Sequence, residues 1–186
     1  MKIIKAAMAV IGLLSLSACA QTVISLPPYT PTGTQELAGG VNVQEFKYTP
    51  KSGVAPNVIH NTAAGQLKLT EPVSSYITNA VKREFRQAGL SIKADNRCSL
   101  QGEINDLTID DLGFSATYLS DFRYVLWDEN KKTLLDNVYK VKFDTTKFVV
   151  AEVIFANINK VISSNIEELM SDKAFQKAIT TSCGTT

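Results

Sequence analysis

The sequence predicts an α/β protein of the α+β kind, a two-layer sandwich in which a mostly antiparallel sheet of about four strands carries two long helices on one face. The expected order of elements is β-α-β-β-β-α. Two segments have the apolar stripe of an amphipathic helix, and one hairpin places apolar and polar residues at alternate positions. Because one-sided helices and one-sided strands must bury their apolar sides, we expect them to cover each other in two layers.

The first strand is expected at residues 41–48, where apolar residues alternate with polar ones and the alternation changes phase at Glu45. Residues 49–65 are rich in proline, glycine and asparagine, and we interpret them as a long loop. This loop holds His60, the single histidine, which we expect to be a solvated loop residue.

The first helix is expected at residues 71–88, where apolar residues recur at spacings of three and four. Thr70 is expected to cap the first amides, Pro72 is tolerated in the first turn, and Gly89 supplies the left-handed residue that ends the helix. The charged residues of this segment fall on the other faces of the helix, away from the apolar stripe. They are Lys82, Arg83, Glu84 and Arg86.

Three further strands follow the first helix. They are expected at residues 99–109, with a bulge near Asn105, at 116–127 and at 134–143, and a turn at 128–131 joins the last two. Five aromatic residues fall on the apolar side of the last two strands and are assigned to the core. They are Tyr118, Phe122, Tyr124, Tyr139 and Phe143.

The second long helix is expected at residues 150–170, where the helical spacing of apolar residues returns. Ser171 and Asp172 then interrupt the apolar pattern. Both residue types accept hydrogen bonds from helix amides, so we expect them to cap a short terminal helix.

Composition excludes several functions. The 19 basic and 18 acidic residues leave no electrostatic case for nucleic-acid binding, and 45% hydrophobic residues argue against a disordered chain. One histidine is too few for a zinc-protease helix and a poor basis for a nucleophilic triad. No phosphate-binding loop occurs in the sequence. We therefore expect no enzyme, no catalytic residue and no cofactor.

Three acidic residues lie close together at the end of the second predicted strand, namely Asp106, Asp110 and Asp111. Their oxygens could in principle coordinate a hard cation, but the spacing does not match a calcium loop. We interpret them as a solvated acidic turn and expect no metal site.

The N-terminus has the pattern of a secretory signal peptide at residues 1–18, in which Lys2 and Lys5 precede an apolar run. The run is shorter than the about 20 residues that a membrane-spanning helix needs. Its last residues, Leu16 to Cys19, resemble the lipobox of bacterial lipoproteins.

The lipobox resemblance implies that Cys19 becomes a lipidated mature N-terminus, which would hold the protein stably on a membrane. Ala20 stands after the cysteine where some lipoproteins have aspartate. In Gram-negative bacteria that pattern implies the outer membrane, with the protein facing the periplasm.

Residues 19–40 contain Pro27, Pro28 and Pro31 without sustained periodicity, and we interpret them as the lipidated cysteine followed by a flexible tether. Tyr29 has a second interpretation, as an aromatic residue that anchors this segment on the domain. Residues 41–186 are then the single periplasmic α/β domain.

Two cysteines remain after removal of the signal peptide and lipidation of Cys19. Cys98 and Cys183 have one possible pairing, and a secreted protein folds in an oxidising compartment, so we expect a disulfide. The alternative is a pair of buried free thiols.

Three apolar residues occupy the polar side of the third predicted strand, namely Leu119, Val125 and Trp127. Apolar groups on an otherwise hydrated sheet face are typical of binding surfaces. We expect this surface to contact a partner, and the alternative is that the linker or the long loop covers it.

The order of elements and two short motifs resemble the YajG-like bacterial lipoproteins. The motifs are Gln-Ala-Gly-Leu at residues 87–90 and Leu-Gln-Gly-Glu-Ile at residues 100–104. The layout is similar, more broadly, to that of auxiliary lipoproteins of lipid-transporting ABC systems and of the PelC lipoprotein of polysaccharide export. The family has no active site to carry over to this chain.

The resemblance implies a non-enzymatic interaction or assembly module of the cell envelope. Its partners would be the membrane, through the anchor, and envelope proteins or a second copy of itself. The alternative within binding proteins is an accessory of lipid or polysaccharide export. An enzyme that acts on envelope glycans is a less favoured alternative.

Overall fold

The structure, a computed structural model, describes residues 26–50, 53–62, 65–147 and 149–184. The predicted signal peptide and the predicted lipidation site at Cys19 lie outside these residues.

The described residues form strands and helices in the order β-β-β-β-α-β-β-β-β-α-α. The strands are β1 (Gly40–Val43), β2 (Lys47–Tyr48), β3 (Val58–Asn61), β4 (Gly65–Lys68), β5 (Ser91–Ile92), β6 (Ser99–Asp110), β7 (Ser115–Trp127) and β8 (Thr133–Thr146). The helices are α1 (Val73–Gln87), which lies between β4 and β5, and α2 (Ala151–Ser171) and α3 (Lys173–Thr181) after β8.

All the described strands join one sheet that is built on β6. Strand β7 pairs antiparallel with one side of β6, and β8 pairs antiparallel with β7. On the other side of β6 the short strands β1, β2 and β3 follow one another along its length, and all three run parallel to it. Strand β5 lies outside β1, and β4 lies outside β3.

The prediction of about four strands in the order β-α-β-β-β-α is therefore wrong in strand number and in the order of elements, although the mixed α/β class is confirmed. The long pairings of β6 with β7 and of β7 with β8 are antiparallel, as expected. The described sheet has eight strands, and four of its pairings are parallel. The additional strands have two to four residues each, which is too short for a side-chain alternation to stand out from chance.

Residues 49–65, predicted as a long loop, include strand β3 and the first residue of β4, and these two strands pair as an antiparallel hairpin. His60 lies in β3, where its backbone pairs with Thr108 of β6, and not in an irregular loop. The first predicted strand, at 41–48, is divided into β1 and β2, and between them the amide of Phe46 donates to the hydroxyl of Thr78 on α1 at 2.9 Å.

The central hairpin matches its prediction. Strands β6, β7 and β8 begin and end within a few residues of the expected positions, and the register between β6 and β7 shifts next to Asn105 as expected for a bulge. Every second residue of β7 is buried beneath the helical layer. Of the five aromatic residues assigned to the core, Tyr118, Phe122 and Tyr124 are fully buried and the other two pack against them.

Helix α2 is joined to the sheet by a buried side-chain amide. Asn165 of α2 accepts from the hydroxyl of Tyr124 at 3.0 Å and donates to Ser120 at 3.1 Å and to the carbonyl of Tyr139 at 2.8 Å. One turn earlier, Ser120 also donates to the carbonyl of Val161 at 3.2 Å. Helix α2 therefore runs in the same direction as β7 and begins beside the start of that strand.

The predicted signals at the helix ends are confirmed at Gly89 and Asp172 and wrong at Thr70. The predicted cap at Thr70 is wrong, because Pro72 holds the N-cap position of α1 and no side chain accepts from the first amides. Gly89 does end α1, with a φ of 94°, which glycine adopts without strain. Asp172 caps α3 as predicted, since its side chain accepts from the amides of Ala174 and Phe175.

A disulfide joins Cys98 and Cys183, with 5.3 Å between their Cα atoms. This is the pairing expected from the sequence. Cys98 lies one residue before β6, and the carbonyl of Cys183 accepts from the amide of Gly40 at the start of β1. The disulfide therefore fixes the C-terminal helix beside the first strand of the sheet.

Candidate interaction surface

The outer face of the central hairpin is the side of the sheet that turns away from the helices. Alternate residues of β7 are buried, and the residues between them are partly exposed, which is the pattern of a sheet covered on one face. The exposed side chains of β8 stand on the same outer face.

Charged side chains on this face are paired across the strands. Arg123 of β7 donates two hydrogen bonds of 2.7 Å to Asp136 of β8 and one of 3.2 Å to Glu103 of β6. Next to them, Lys140 lies 2.7 Å from Asp121. Opposite charges thus alternate across the three strands, and the face has no single-sign field of the kind that attracts polyanions.

The ion pairs shift the pKa values of two of their side chains. The hydrogen bond from Arg123 lowers the pKa of Asp136, and the hydrogen bond to Asp121 raises the pKa of Lys140. These shifts favour the charged forms of Asp136 and Lys140. Because most of these side chains lie at least partly in solvent, the pairs contribute little to the stability of the fold.

The three apolar residues predicted as a partner surface all lie on this face, partly exposed. Val125 and Trp127 are two residues apart on β7 and therefore form one patch. Leu119 lies six residues from Val125, about 20 Å along the strand, and Asp121 and Arg123 stand between them. The structure brings together two of the three residues.

Val138 is a fourth apolar residue on the outer face, in addition to the three that were predicted. It lies opposite Arg123 on β8, diagonal to Val125, and is 47% exposed. Val138 has the same parity along its strand as Asp136 and Lys140, so its place on the outer face was available from the alternation alone. We call Val125, Trp127 and Val138 the sheet patch.

A second feature is the segment from Leu26 to Leu37, which falls in the region interpreted as a flexible tether. The described part of that region lies against α1 and α2. The amide of Thr30 donates to Asn159 of α2 at 3.0 Å, and Gln87 at the end of α1 donates to the carbonyl of Gly33 at 2.8 Å. We call residues 26–37 the strap.

The strap is held by a buried carboxyl group on α1. Glu84 is fully buried and accepts from the hydroxyl of Tyr29 at 2.5 Å and from the amides of Thr32 and Gly33 at 2.9 and 3.0 Å. Glu84 thus lies off the apolar stripe of α1 and is nevertheless buried, because the strap covers it.

Tyr29 anchors the strap, as the second interpretation of this residue proposed. Its ring is 2% exposed. Burial, followed by the hydrogen bond to Glu84, raises the pKa of Tyr29 well above the usual value for tyrosine. The phenol therefore stays protonated and remains a donor to Glu84 over the whole physiological range.

An apolar cleft of about 610 Å³ lies between the start of the strap and the first turns of α2. Leu26, Pro27, Tyr76 and Phe155 are among its lining residues, and Glu152 is the single carboxylate in that lining. Acid–base chemistry by paired carboxylates needs two such groups facing one space, and the described lining of this cleft provides one.

The acidic residues considered as a cation site have other partners. Thr62 donates to Asp110 at 2.8 Å and to Asp111 at 3.2 Å, and Thr108 donates to Asp106. The hydrogen bond from Thr62 lowers the pKa of Asp110. Within the described ranges, no group of histidine, cysteine and acidic side chains is arranged to hold a metal ion.

None of the described helices combines the length and the apolar character that crossing a membrane requires.

Comparison with known proteins gives similarity of fold. No family model matches the sequence, and none of the curated proteins matches it. A crystal structure of a Xanthomonas campestris protein of the DUF330 family has a TM-score of 0.64 and 12% identity over 84% of this chain and 96% of the other.

The crystal structure of an uncharacterised protein has a TM-score of 0.55 and 6% identity, covering 80% of this chain and 97% of that one. A minor lipoprotein from Acinetobacter baumannii has a TM-score of 0.45 and 6% identity, covering 75% and 94%. The first two similarities establish a shared fold, and no conclusion about function follows from any of the three.

Proposed function

We propose that this protein is a bacterial lipoprotein anchored through Cys19 and that it acts in the cell envelope as a non-enzymatic interaction or assembly module. The observation that carries the proposal is the uncovered outer face of β6, β7 and β8, where the sheet patch lies beside a network of paired charges. An apolar centre with a polar, hydrogen-bonded rim is the usual anatomy of a protein–protein interface.

The proposed anchor rests on the lipobox. The position of the strap determines how far from the membrane such an anchor would let the domain move. Seven residue steps separate Cys19 from Leu26, which lies against α2. Even a fully extended chain of that length spans only about 25 Å. The domain would therefore stay close to the membrane surface, whereas a free tether that reached residue 40 would let it move tens of ångströms away.

The motifs at residues 87–90 and 100–104 support a relationship to the YajG-like lipoproteins, and Ala20 supports sorting to the outer membrane with the domain facing the periplasm. The cleft lining, with its single carboxylate, supports a binding protein over an enzyme that acts on glycans.

A second candidate function is an accessory role in lipid or polysaccharide export. The apolar cleft beside Leu26 favours the lipid version, because its volume and its lining of Phe155, Tyr76 and proline suit an acyl chain. Native mass spectrometry of protein extracted gently from membranes tests this candidate. It predicts a bound phospholipid that is lost in Phe155→Glu and retained in Val138→Glu.

Site-specific photocrosslinking in intact cells tests the leading proposal. A photoreactive amino acid at position 138 or 127 places the probe in the sheet patch, and the same probe at Arg86 of α1, an exposed residue on the helical side, is the matched control. Mass spectrometry then identifies the captured proteins.

We expect a defined set of envelope proteins, or a second copy of this chain, to be captured from positions 138 and 127 and not from position 86. Capture should fail in Cys19→Ala, because that variant is no longer held at the membrane. Equal capture from all three positions, or capture that persists in Cys19→Ala, would contradict an anchored module that works through this face.

A further inference from the structure

Large apolar side chains are exposed mainly at one end of the molecule. Among the described residues, five such side chains are exposed, and four of them belong to two neighbouring segments. Phe114 and Leu112 lie in the turn between β6 and β7 and are 106% and 72% exposed. Val150 and Val153 lie at the start of α2 and are 65% and 38% exposed. We call these four residues the apolar end.

The two segments are adjacent in space. Ser115, directly after the turn, pairs with Thr146 at the end of β8. The side chain of Lys147 donates to the carbonyl of Gly113 within the turn at 3.2 Å. The residues that lead into α2 therefore start beside the turn, and the exposed side chains of both segments belong to one surface. Scattered apolar residues are normal on a protein surface, but a cluster of this kind marks a contact site.

The strap begins at the same end. Leu26 shares the lining of the apolar cleft with Glu152 and Phe155, which lie in the first turns of α2. From there the strap runs along α1 and α2 toward their C-terminal ends, where Leu37 donates to the carbonyl of Ala88 at 2.7 Å. The chain that continues toward Cys19 thus leaves the described structure beside the apolar end.

We propose that the apolar end inserts into the surface of the membrane that carries the anchor, with Phe114 and Leu112 among the outer parts of the acyl chains. The proposal rests on the proposed function insofar as Cys19 is the point of anchoring. It adds a second membrane contact and a fixed orientation, in which α2 and β7 point away from the bilayer and the outer face of the sheet stands upright.

The chemistry of the end suits a lipid surface without net charge. Asp110 and Asp111 adjoin the turn on one side and Lys147 on the other, and Glu152 lies in the first turn of α2, so both signs of charge surround the apolar side chains. Zwitterionic headgroups present both signs at the same depth. A chain of about 25 Å or less between Leu26 and the anchor keeps this surface within reach of the headgroups at all times.

The single native tryptophan, Trp127, lies far from the apolar end and can be replaced by a tryptophan reporter within that end. Trp127 is at the far end of β7, twelve residues from Ser115 and therefore about 40 Å from the apolar end. Replacing it by phenylalanine removes the native signal. Phe114→Trp and Val150→Trp, each in that Trp127→Phe background, then place a reporter in each segment of the apolar end.

The control reporter is Val138→Trp in the same background. Val138 is the fifth exposed large apolar residue, and it lies on the outer face of the sheet away from the apolar end. All three proteins thus carry one tryptophan at an exposed position. Circular dichroism establishes that each variant is folded before its fluorescence is interpreted.

The mature chain, residues 19–186, is the form that the proposed function implies. Cys98 and Cys183 are joined to each other, so Cys19 is the single free thiol of that chain. It can be coupled to a maleimide lipid in vesicles of phosphatidylcholine and phosphatidylethanolamine, and tryptophan emission is then compared with and without brominated acyl chains.

We expect the bromines to quench the reporters at positions 114 and 150 at least about twofold, because side chains of interfacial segments reach the boundary of the acyl region. The reporter at position 138 should not be quenched. Equal quenching at all three positions, or no quenching at 114 and 150, would overturn the proposal. So would a blue shift at 114 that appears without vesicles and grows with protein concentration, since it would assign the apolar end to a second copy.

Coupling through the thiol separates this proposal from the proposed function. The vesicle experiment fixes Cys19 to a lipid by chemistry, so its result does not depend on whether cells lipidate that residue. Failure of lipidation in cells would contradict the proposed anchor, and absence of quenching on vesicles would contradict membrane insertion by the apolar end.

Discussion

At the scale of single residues, Glu84 explains why the N-terminal strap belongs to the fold. A buried carboxyl group without partners would be costly, and three donors of the strap satisfy it. The backbone of the strap lies very close to Glu84 at Gly33, since a Cβ at this position would lie 2.7 Å from a carboxyl oxygen of Glu84. A glycine at this position thus lets the backbone reach the acid.

Replacing Glu84 by alanine should release the strap. Two amides and one hydroxyl lose their acceptor, so we expect the free energy of unfolding to fall by about 2–3 kcal/mol. Urea denaturation measures the loss, and hydrogen exchange should show faster exchange at the amides of Thr32 and Gly33.

The matched control for Glu84→Ala is Glu168→Ala, which removes an exposed glutamate from α2. It should change stability by no more than about 0.5 kcal/mol and leave the strap protected. Equal losses in the two variants would mean that the hydrogen bonds to the strap contribute nothing specific.

Gly102 of β6 makes room for an aromatic ring. A Cβ at this position would overlap the ring of Phe46, which also packs edge-on against Tyr124 at 5.7 Å between centroids. Gly102→Ala should therefore destabilise the protein by about 1–3 kcal/mol, despite the better strand propensity of alanine, because the core has no space for the methyl group.

Thermal or urea unfolding of Gly102→Ala checks this expectation, and Gly113→Ala is the control. A Cβ on Gly113 meets no atom within 4 Å, so the same change there should be nearly neutral. Equal stability of the Gly102→Ala variant and the natural protein would show that the core around Phe46 is loosely packed.

At the scale of elements, Asp172 joins α2, α3 and the sheet. Its side chain accepts from two amides of α3, from the hydroxyl of Tyr139 at 2.6 Å and from Asn137 at 3.1 Å. The hydrogen bond from Tyr139 is the main reason that the pKa of Asp172 is lowered. Burial in turn raises the pKa of Tyr139 to about 12, so the phenol remains a donor.

The lowered pKa of Asp172 predicts a pH dependence of stability. The folded state favours the ionised form, so its contribution is complete above the pKa of an unfolded aspartate, about 3.9, and is lost as the pH falls through the lower folded value. Asp172→Asn keeps the capping ability and removes the charge. We expect it to cost about 1 kcal/mol at pH 7, since the site is partly exposed.

Urea unfolding of both proteins between pH 7 and about pH 2 measures the difference. The gap between the natural protein and Asp172→Asn should narrow below about pH 4. A gap that stays constant down to the lowest pH would contradict the assignment of the charge-dependent contribution to Asp172.

The long elements could be predicted from the sequence and the short ones could not. Helices α1 and α2 and strands β6, β7 and β8 are each at least 12 residues long, so the apolar repeat recurs several times within each. Strand β3 has four residues, and its pairing partner lies nearly fifty positions away. Local periodicity contains no information about such a pairing.

At the scale of the whole molecule, the two layers follow from the one-sided elements, but the parallel half of the sheet depends on contacts between distant segments. The disulfide is one of these contacts, and counting cysteines predicts it because two thiols have a single pairing. Two residues of the sheet patch, Val125 and Trp127, could be predicted because they break the apolar–polar alternation of β7. The apolar end could not be predicted in this way, because a turn has no such alternation.

Reduction of the disulfide between Cys98 and Cys183 should destabilise the fold. The two cysteines are 85 residues apart, and closing a loop of that length is worth at most about 4–5 kcal/mol in the chain-entropy model. We expect a lower urea midpoint in reductant, and the same midpoint for the Cys98→Ser, Cys183→Ser double variant with or without reductant. No shift on reduction of the natural protein would contradict a structural disulfide.

The central claim is that the protein is anchored through Cys19, because the reach of the strap, the orientation of the domain and the access of partners to the sheet patch all depend on it. The most direct measurement is the intact mass of the protein purified from the envelope of the cells that make it, together with fragmentation of its N-terminal peptide. We expect a chain that begins at Cys19 and carries diacylglycerol on the thiol and an acyl group on the amine. An unmodified cysteine, or a chain that begins at another residue, would contradict the account.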